Sequence, residues 1–247
     1  ACEQFRLLLS QQLERAANMN TEKTDFSKKE CVTIGVVDGD GIGPLITKQA
    51  TRVLEKLLAD EIAAGSIVIK YIEGLTIENR VEHMKAIPDD VLAELKSCDV
   101  ILKGPTTTPH GGTMESANVT MRRELDLYAN CRPVTIPEKN IDWMFFRENT
   151  EGGYAVGSMG VNVTPDLAID FTVATTQGCD RIAELAFSYA KRMGKSRVTA
   201  VTKANVIKTT DGKFLDACKR VAAKYPEIAF DDWYIDIMTA KLVDTKR

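Results

Sequence analysis

Residues 31–44 read C-V-T-I-G-V-V-D-G-D-G-I-G-P: an apolar run from Cys31 to Val37, a glycine-rich turn, then Pro44. The run has the character of a buried strand, and a proline at the first helical position opens a helix that Leu45, Val53, Leu54, Leu57 and Leu58 continue. A strand passing through a glycine turn into a helix invites a dinucleotide-binding fold. The spacing argues otherwise. Gly39, Gly41 and Gly43 are spaced G-x-G-x-G, and no acidic residue ends a second strand at the expected distance. On its own residues the turn is a tight strand-to-helix connection.

Beyond it, a second strand is expected near 67–72, helical pieces over 77–84 and 89–97, and a third strand over 99–102. Strand and helix alternate, which gives an α/β fold with a mostly parallel sheet and right-handed crossovers. After Tyr128 the pattern changes. Strands at 128–133 and 141–147 flank a turn containing Pro137 and Asn140. Residues 152–166 read as irregular, and 168–176 as an exposed strand or clasp. A helix over 180–193, a strand over 197–202 and a helix over 211–224 follow. The last carries Phe214, Leu215, Cys218, Val221 and Ala222 on one face. A strand over 230–235 leads into a final helix. The reading is two units: residues 1–127, the N-terminal part of a larger α/β domain with a 1–30 extension, and residues 128–247. A short amphipathic helix is expected within that extension.

The 247 residues are 44% hydrophobic and 27% charged, as in a soluble globular protein, and the net charge of −3 leaves no basic footprint for nucleic acid. No apolar run is long enough to cross a bilayer. Six scattered cysteines without a C-x-x-C pair point to reduced thiols in a cytosol-like compartment. With only His83 and His110, a histidine-based zinc site is nearly excluded, so any metal should be a hard cation on carboxylates.

Between Lys103 and Arg147 lies the segment richest in chemistry. It sets Ser116, Asn118, Arg122 and Arg132 in the run S-A-N-V-T-M-R-R-E-L-D-L-Y-A-N-C-R-P, with Arg147 shortly after. A guanidinium grips a carboxylate with a planar fork that lysine cannot reproduce. Three of them beside a hydroxyl and an amide suit a small polycarboxylate, although a single arginine ordinarily sits in a surface ion pair.

The strings V-V-D-G-D-G-I-G-P, K-G-P-T-T-T-P and the arginine run resemble the isocitrate/isopropylmalate dehydrogenase family. F-R-E-N-T-E-G-G-Y (146–154), V-T-K-A-N-V-I-K (201–208) and Y-I-D-I-M-T-A-K-L-V (234–243) extend the likeness from about residue 31 to the end. It implies a two-domain fold that is not the dinucleotide-binding one, with the larger domain incomplete here. It implies oxidative decarboxylation of a 2-hydroxy acid with NAD or NADP and Mg²⁺ or Mn²⁺. By the same likeness Arg122, Arg132 and Arg147 hold substrate carboxylates, with Ser116 and Asn118 beside them. Tyr154 protonates the enol after decarboxylation, and Lys203 works with the substrate hydroxyl. Asp236 binds metal, and Thr107 lies near the nicotinamide. Lys203 and Asp236 are expected to reach the neighbour's site in a homodimer joined by a clasp in the smaller domain.

Isocitrate is the expected substrate. Burying the donors of Ser116 and Asn118 against an isopropyl group would cost roughly 1–3 kcal/mol each. Glu115 departs from the family pattern and would repel a carboxylate if it pointed inward, which keeps 3-isopropylmalate, homoisocitrate or another malate-like substrate in view. The likeness further implies that two metal aspartates and an adenosine-gripping loop follow Arg247 in a longer enzyme. A chain without them reads as a non-catalytic subunit or dimerisation fragment. The expected location is cytoplasmic, or the mitochondrial matrix in a eukaryote.

Overall fold

The computed structural model describes residues 2–19, 24–108, 114–156 and 160–243. His110, Thr113 and the terminal Asp244–Arg247 fall outside them. The chain divides into two compact units, Glu22–Leu125 and Ala1–Thr21 with Asp126–Arg247. The N-terminal helix α1 (Cys2–Ala17) therefore belongs with the second unit, not with the first as its position in sequence implies.

In the first unit the order is β1 (Val32–Val37), α2 (Gly43–Leu57), α3 (Ala59–Ala63), β2 (Ile67–Tyr71), α4 (Ile77–Glu82), α5 (Asp89–Lys96), β3 (Val100–Lys103) and α6 (Ala117–Glu124). The strands form a parallel sheet in the order β2-β1-β3. Val37, Ile72, Leu75, Ile87, Val91, Leu95, Ala117 and Met121 make its core. One expectation changes. The buried face of α2 is Gly43, Thr47 and Thr51, while Leu45, Val53 and Leu57 are exposed. Thr47 faces inward because its hydroxyl bonds Asp38 and the Gly43 carbonyl, and Thr51 repeats this one turn on against the Thr47 carbonyl at 2.8 Å. The apolar stripe of α2 is thus left uncovered in this chain. The segment of Ser116 and Asn118, given no element from the sequence, forms a helix: Ser116 is the N-cap of α6 and Asn118 stands in its first turn.

The glycines of the opening turn serve close approach. A Cβ on Gly39 would fall 2.0 Å from the Pro105 carbonyl oxygen, and one on Gly43 2.1 Å from that of Asp38. Backbone of the β1–α2 turn meets backbone after β3, so these positions exclude side chains by contact with protein.

The second unit opens with a hairpin, β4 (Ala129–Ile136) and β5 (Ile141–Glu148), whose turn ends at Asn140 in the left-handed region with φ 52°. A short antiparallel pair follows, β6 (Val161–Thr164) and β7 (Leu167–Ile169), in stretches expected to be irregular or a clasp; β7 is exposed throughout. Then come α7 (Thr176–Arg192), β8 (Arg197–Thr202), α8 (Thr210–Ala222), β9 (Ala229–Tyr234) and α9 (Ile235–Lys241). β8 and β9 are parallel with α8 as crossover, so the chain leaves both at the same sheet end. Ala183, Phe187, Ala190, Ala200, Cys218, Val221 and Ile228 form the core between α7, α8 and this sheet. α1 docks here through buried Leu8, a Phe5–Phe171 ring contact at 5.1 Å and a Gln12 amide bond to the Ala155 carbonyl at 3.3 Å. Among the described residues no helix is long and apolar enough to cross a membrane.

Candidate functional site

The expected site residues fall in both units: Thr107, Ser116, Asn118 and Arg122 in the first, Arg132, Arg147, Tyr154, Lys203 and Asp236 in the second.

In the first unit they gather at the carboxyl ends of β1 and β3, where ligands of open parallel sheets bind. Lys103 ends β3 and turns its ammonium back, donating to the Gly104 carbonyl at 2.7 Å and to Thr106 Oγ1 at 3.3 Å. Thr106 Oγ1 in turn donates to Asn118 Oδ1 at 3.2 Å. Burial pushes the Lys103 ammonium below its usual pKa, with Asp40 opposing and the Arg80 and Arg122 charges adding to the fall. Arg122 lies one turn after Asn118, on the same side of α6. Glu115 is spoken for. Its carboxylate takes a fork from Arg123 at 3.0 and 2.6 Å and a hydroxyl from Thr120 at 2.7 Å. Burial works against that charge, yet the Arg123 and Thr120 bonds carry the carboxyl below its usual range.

Thr107 is held by residues that the motifs do not mark. Its N–H donates to Asp40 Oδ2 at 2.6 Å, and its carbonyl accepts from Arg80 Nη1 at 2.7 Å. Arg80 is fully buried. Charged residues are ordinarily exposed, so nothing in the sequence marks it. Asp40, flanked by glycines in the turn after a strand, is the type of short acceptor that ties loops to backbone donors.

In the second unit the hairpin sets out the arginines. Asn130 pairs with Arg147 across β4 and β5, and Arg132 lies two residues from Asn130, so all three share one face. Arg132 Nε donates to Asn130 Oδ1 at 2.9 Å, and Arg147 Nη2 to Asn149 Oδ1 at 3.1 Å. The Arg147 guanidinium lies over the Tyr154 ring, 5.5 Å from its centroid. Both arginines and the tyrosine are exposed. The chain between Arg147 and Tyr154 is tied down by its acidic residues, which turn inward. Glu148 accepts from Thr150 N, Thr150 Oγ1 and Glu151 N at 2.9, 2.7 and 2.5 Å. Glu151 accepts from Thr175 N and Oγ1 at 2.9 and 2.5 Å, and burial raises its carboxyl above the usual range. Arg181 stacks on Tyr128 at 4.3 Å and forks onto Asp126 at 2.8 and 3.0 Å. Arg15 of α1 faces this group, its guanidinium lowered first by burial, with Glu148 and Glu151 opposing.

Lys203 follows β8 and Asp236 follows β9, and their side chains meet at 2.9 Å. The Lys203 N–H donates to Asp211 Oδ2 at 2.6 Å, which fixes the turn. The Lys203 bond holds the Asp236 carboxyl below the usual range. Among the described residues no three His, Cys, Asp or Glu side chains are grouped to hold a metal ion. Asp236 is a single carboxylate already engaged by an ammonium, so these residues by themselves do not fit a divalent cation.

The model of the family described as isocitrate/isopropylmalate dehydrogenase matches residues 33–247. The chain is 37% identical over 216 residues to isocitrate dehydrogenase [NAD] regulatory subunit 2, mitochondrial, of Arabidopsis thaliana, covering 85% of this chain and 55% of that protein. It is 36% identical over 221 residues to catalytic subunit 5 of the same organism, covering 86% and 56%. A crystal structure of isocitrate dehydrogenase from Methylococcus capsulatus superposes with a TM-score of 0.74 at 33% identity, over 86% of this chain and 63% of that one. The chain thus spans little more than half the length of the curated relatives that it matches.

Proposed function

Since the chain belongs to the isocitrate/isopropylmalate dehydrogenase family, we propose that it serves the NAD-dependent oxidative decarboxylation of isocitrate to 2-oxoglutarate. The observation that carries this is the shared face of Arg132 and Arg147 with Tyr154 under the second guanidinium. Two forks grip carboxylates there, and a phenol stands within the same group to supply a proton. In the first unit, Arg122 with Ser116 and Asn118 of α6 offers a guanidinium, a hydroxyl and an amide suited to the same class of ligand. Thr107 belongs to the cofactor side, where a bound nicotinamide supplies the hydride acceptor.

The chain's own residues then have defined tasks. Lys203 works with the substrate hydroxyl as C2 is oxidised, and Tyr154 returns a proton to the carbon that loses carbon dioxide. Mg²⁺ or Mn²⁺ belongs to the reading only where carboxylates beyond Asp236 complete a site, and no step here passes through it. NAD is favoured over NADP by relatives named for NAD. Isocitrate is favoured over 3-isopropylmalate because Glu115 is neutralised by Arg123 and so does not repel a third carboxylate, a criterion that homoisocitrate, also a tricarboxylate, meets equally.

A second reading, a non-catalytic subunit, has the similarity to a regulatory subunit behind it. Arg122, Arg132, Arg147, Tyr154, Lys203 and Asp236 are all retained, which favours the catalytic role. Lys203 and Asp236 are paired at one sheet end, which suits delivery of both together to a partner's site in a homodimer. The relatives' names favour a mitochondrial location over a cytoplasmic one. The test is NAD⁺ reduction by the purified protein with isocitrate, 3-isopropylmalate or homoisocitrate as sole substrate. Isocitrate-dependent NADH formation supports the catalytic reading; none alone, but stimulation of a catalytic subunit, gives the regulatory one.

A further inference from the structure

The connection after β3 leaves the sheet at Gly104 and returns to helix at Ala117, and two charged residues of the first unit hold its two shoulders. Arg80 lies on α4 and is fully buried. Its Nε donates to the Ala86 carbonyl at 2.8 Å, its Nη1 to the Thr107 carbonyl at 2.7 Å and its Nη2 to the Glu115 carbonyl at 3.4 Å. Asp40 is 8% exposed. Its Oδ1 accepts from the Ile77 N–H at 2.7 Å and its Oδ2 from the Thr107 N–H at 2.6 Å, while its own N–H donates to the Pro105 carbonyl at 2.7 Å.

Thr107 is therefore bonded through its N–H to a carboxylate and through its carbonyl to a guanidinium. A buried charge is costly unless its partners are well placed, and each of these is matched by hydrogen bonds and by the other's charge. An apolar side chain could fill the space under α4, but it would leave the Ala86, Thr107 and Glu115 carbonyls without this donor. What an apolar residue cannot do is take two carbonyls on opposite shoulders of one connection. A lysine ammonium, a single nitrogen, lacks the fork for it.

We infer that Arg80 and Asp40 are positioning residues that set the Thr107 peptide and the Thr106 hydroxyl for a nicotinamide dinucleotide. The inference rests on the cofactor reading of Thr107 proposed above. The link to Thr106 is short: its hydroxyl lies between the Lys103 ammonium and the Asn118 amide oxygen. A shift of the adjoining peptide would break that chain of bonds.

The test uses the purified full chain and the variants Arg80→Lys, Arg80→Met and Asp40→Asn. Two quantities are read: amide exchange at Thr107, with Val36 of β1 as internal control, and NAD⁺ affinity by titration calorimetry. Asp40→Asn loosens the Thr107 N–H bond itself and the Arg80 variants loosen it through the freed carbonyl; both are expected to speed Thr107 exchange and weaken NAD⁺ by about tenfold or more, with Val36 unmoved. Arg80→Lys should fail as Arg80→Met does, and it keeps the test open if the methionine variant does not fold. Unchanged Thr107 exchange in a folded variant overturns the clamp. Faster exchange with unchanged NAD⁺ affinity overturns the positioning role and leaves a purely structural pair. If the unsubstituted chain does not bind NAD⁺, the cofactor reading itself fails and the positioning role with it. Thr107 exchange, which needs no ligand, tells that failure from failure of the clamp.

Discussion

The Arg147 guanidinium lies over the ring of Tyr154 at 5.5 Å while its Nη2 is held by Asn149. One residue thus bridges the end of β5 and the far side of the loop that follows it. Such a stack contributes about 0.5–1 kcal/mol at an exposed site, enough to bias the ring without fixing it. Asn149 adds direction, because its amide also donates to the Leu127 carbonyl at 3.3 Å and its N–H to the Tyr128 carbonyl at 2.8 Å. The arginine and the tyrosine act as a unit whose foundation is the inward-turned stretch Glu148–Glu151.

On the proposed function, that unit separates binding from proton transfer. Tyr154→Phe keeps the ring beneath Arg147 and removes only the hydroxyl. Turnover should fall by about 10²–10⁴-fold, the usual worth of a general acid, with substrate KM nearly unchanged. Arg147→Lys keeps charge but loses the fork, so its main effect should be on KM, about tenfold or more. Steady-state kinetics on the two variants checks the split, and a reversed pattern removes Tyr154 from the chemistry.

Glu151 predicts a pH dependence of stability. Burial raises its carboxyl above the ordinary value, with the Thr175 bonds opposing. The folded state therefore binds this proton more tightly than the unfolded chain does. The stabilisation is fully present below the unfolded pKa and is lost as pH rises through the folded one. Glu151→Gln should flatten the unfolding midpoint between about pH 4 and the folded pKa, since Gln stays neutral throughout. A profile with unchanged slope would show that Glu151 is not the group responsible.

The same carboxylate explains Gly178. A Cβ there would come within 2.4 Å of the Glu151 carboxyl carbon. Gly178 is buried in the first turn of α7, where its N–H donates to Thr175 Oγ1 at 2.9 Å. Gly178→Ala should destabilise the second unit by about 1–3 kcal/mol through overpacking, read as a lower midpoint in urea with unchanged m. In the Gly178→Ala/Glu151→Ala pair the clash has no partner, so the combined loss should be smaller than the sum.

Much of this was legible and some was not, for physical reasons that differ from residue to residue. The parallel strands β1, β2 and β3 announce themselves by continuous apolar runs, and the hairpin turn by Pro137 and Asn140. The glycine spacing departs from the dinucleotide-binding fingerprint, and Gly39 and Gly43 meet carbonyl oxygens of the protein itself. The buried face of α2 misleads a hydrophobicity reading, since two threonines turn inward to bond Asp38 and the helix's own carbonyls. α6 hides behind Ser116 and Asn118, polar residues suited equally to a turn and to a helix start. Arg80 leaves no local signature, as its acceptors are backbone carbonyls, two of them distant in sequence.

On the proposed function, Glu115 bears on substrate choice. Its fork with Arg123 removes the repulsion that a free carboxylate beside α6 would exert. Arg123→Gln should release that charge and raise KM for isocitrate more than for 3-isopropylmalate, which carries one carboxylate fewer. Glu115→Gln should leave isocitrate KM within about twofold, since a paired carboxylate exerts little outward field. Equal KM changes for the two substrates would place Glu115 outside the substrate's reach.

Lys203 and Asp236 offer the test of how sites are shared. They meet at 2.9 Å where β8 and β9 end, so one protomer presents an ammonium and a carboxylate together. Tyr154 is anchored elsewhere in the unit, through Arg147 and the Glu148–Glu151 stretch. If a site takes Tyr154 from one copy and Lys203 from the other, inactive Lys203→Met and Tyr154→Phe chains complement each other. A mixed dimer then holds one site with both residues intact and one with neither. At equal expression and random pairing, half the dimers are mixed, each with one working site of two, and activity should return to about a quarter of the unsubstituted level. Mixing the two variants after dissociation and measuring isocitrate-dependent NADH formation decides it. No recovery, with dimers shown to exchange by native mass spectrometry, means that Tyr154 and Lys203 act within one chain.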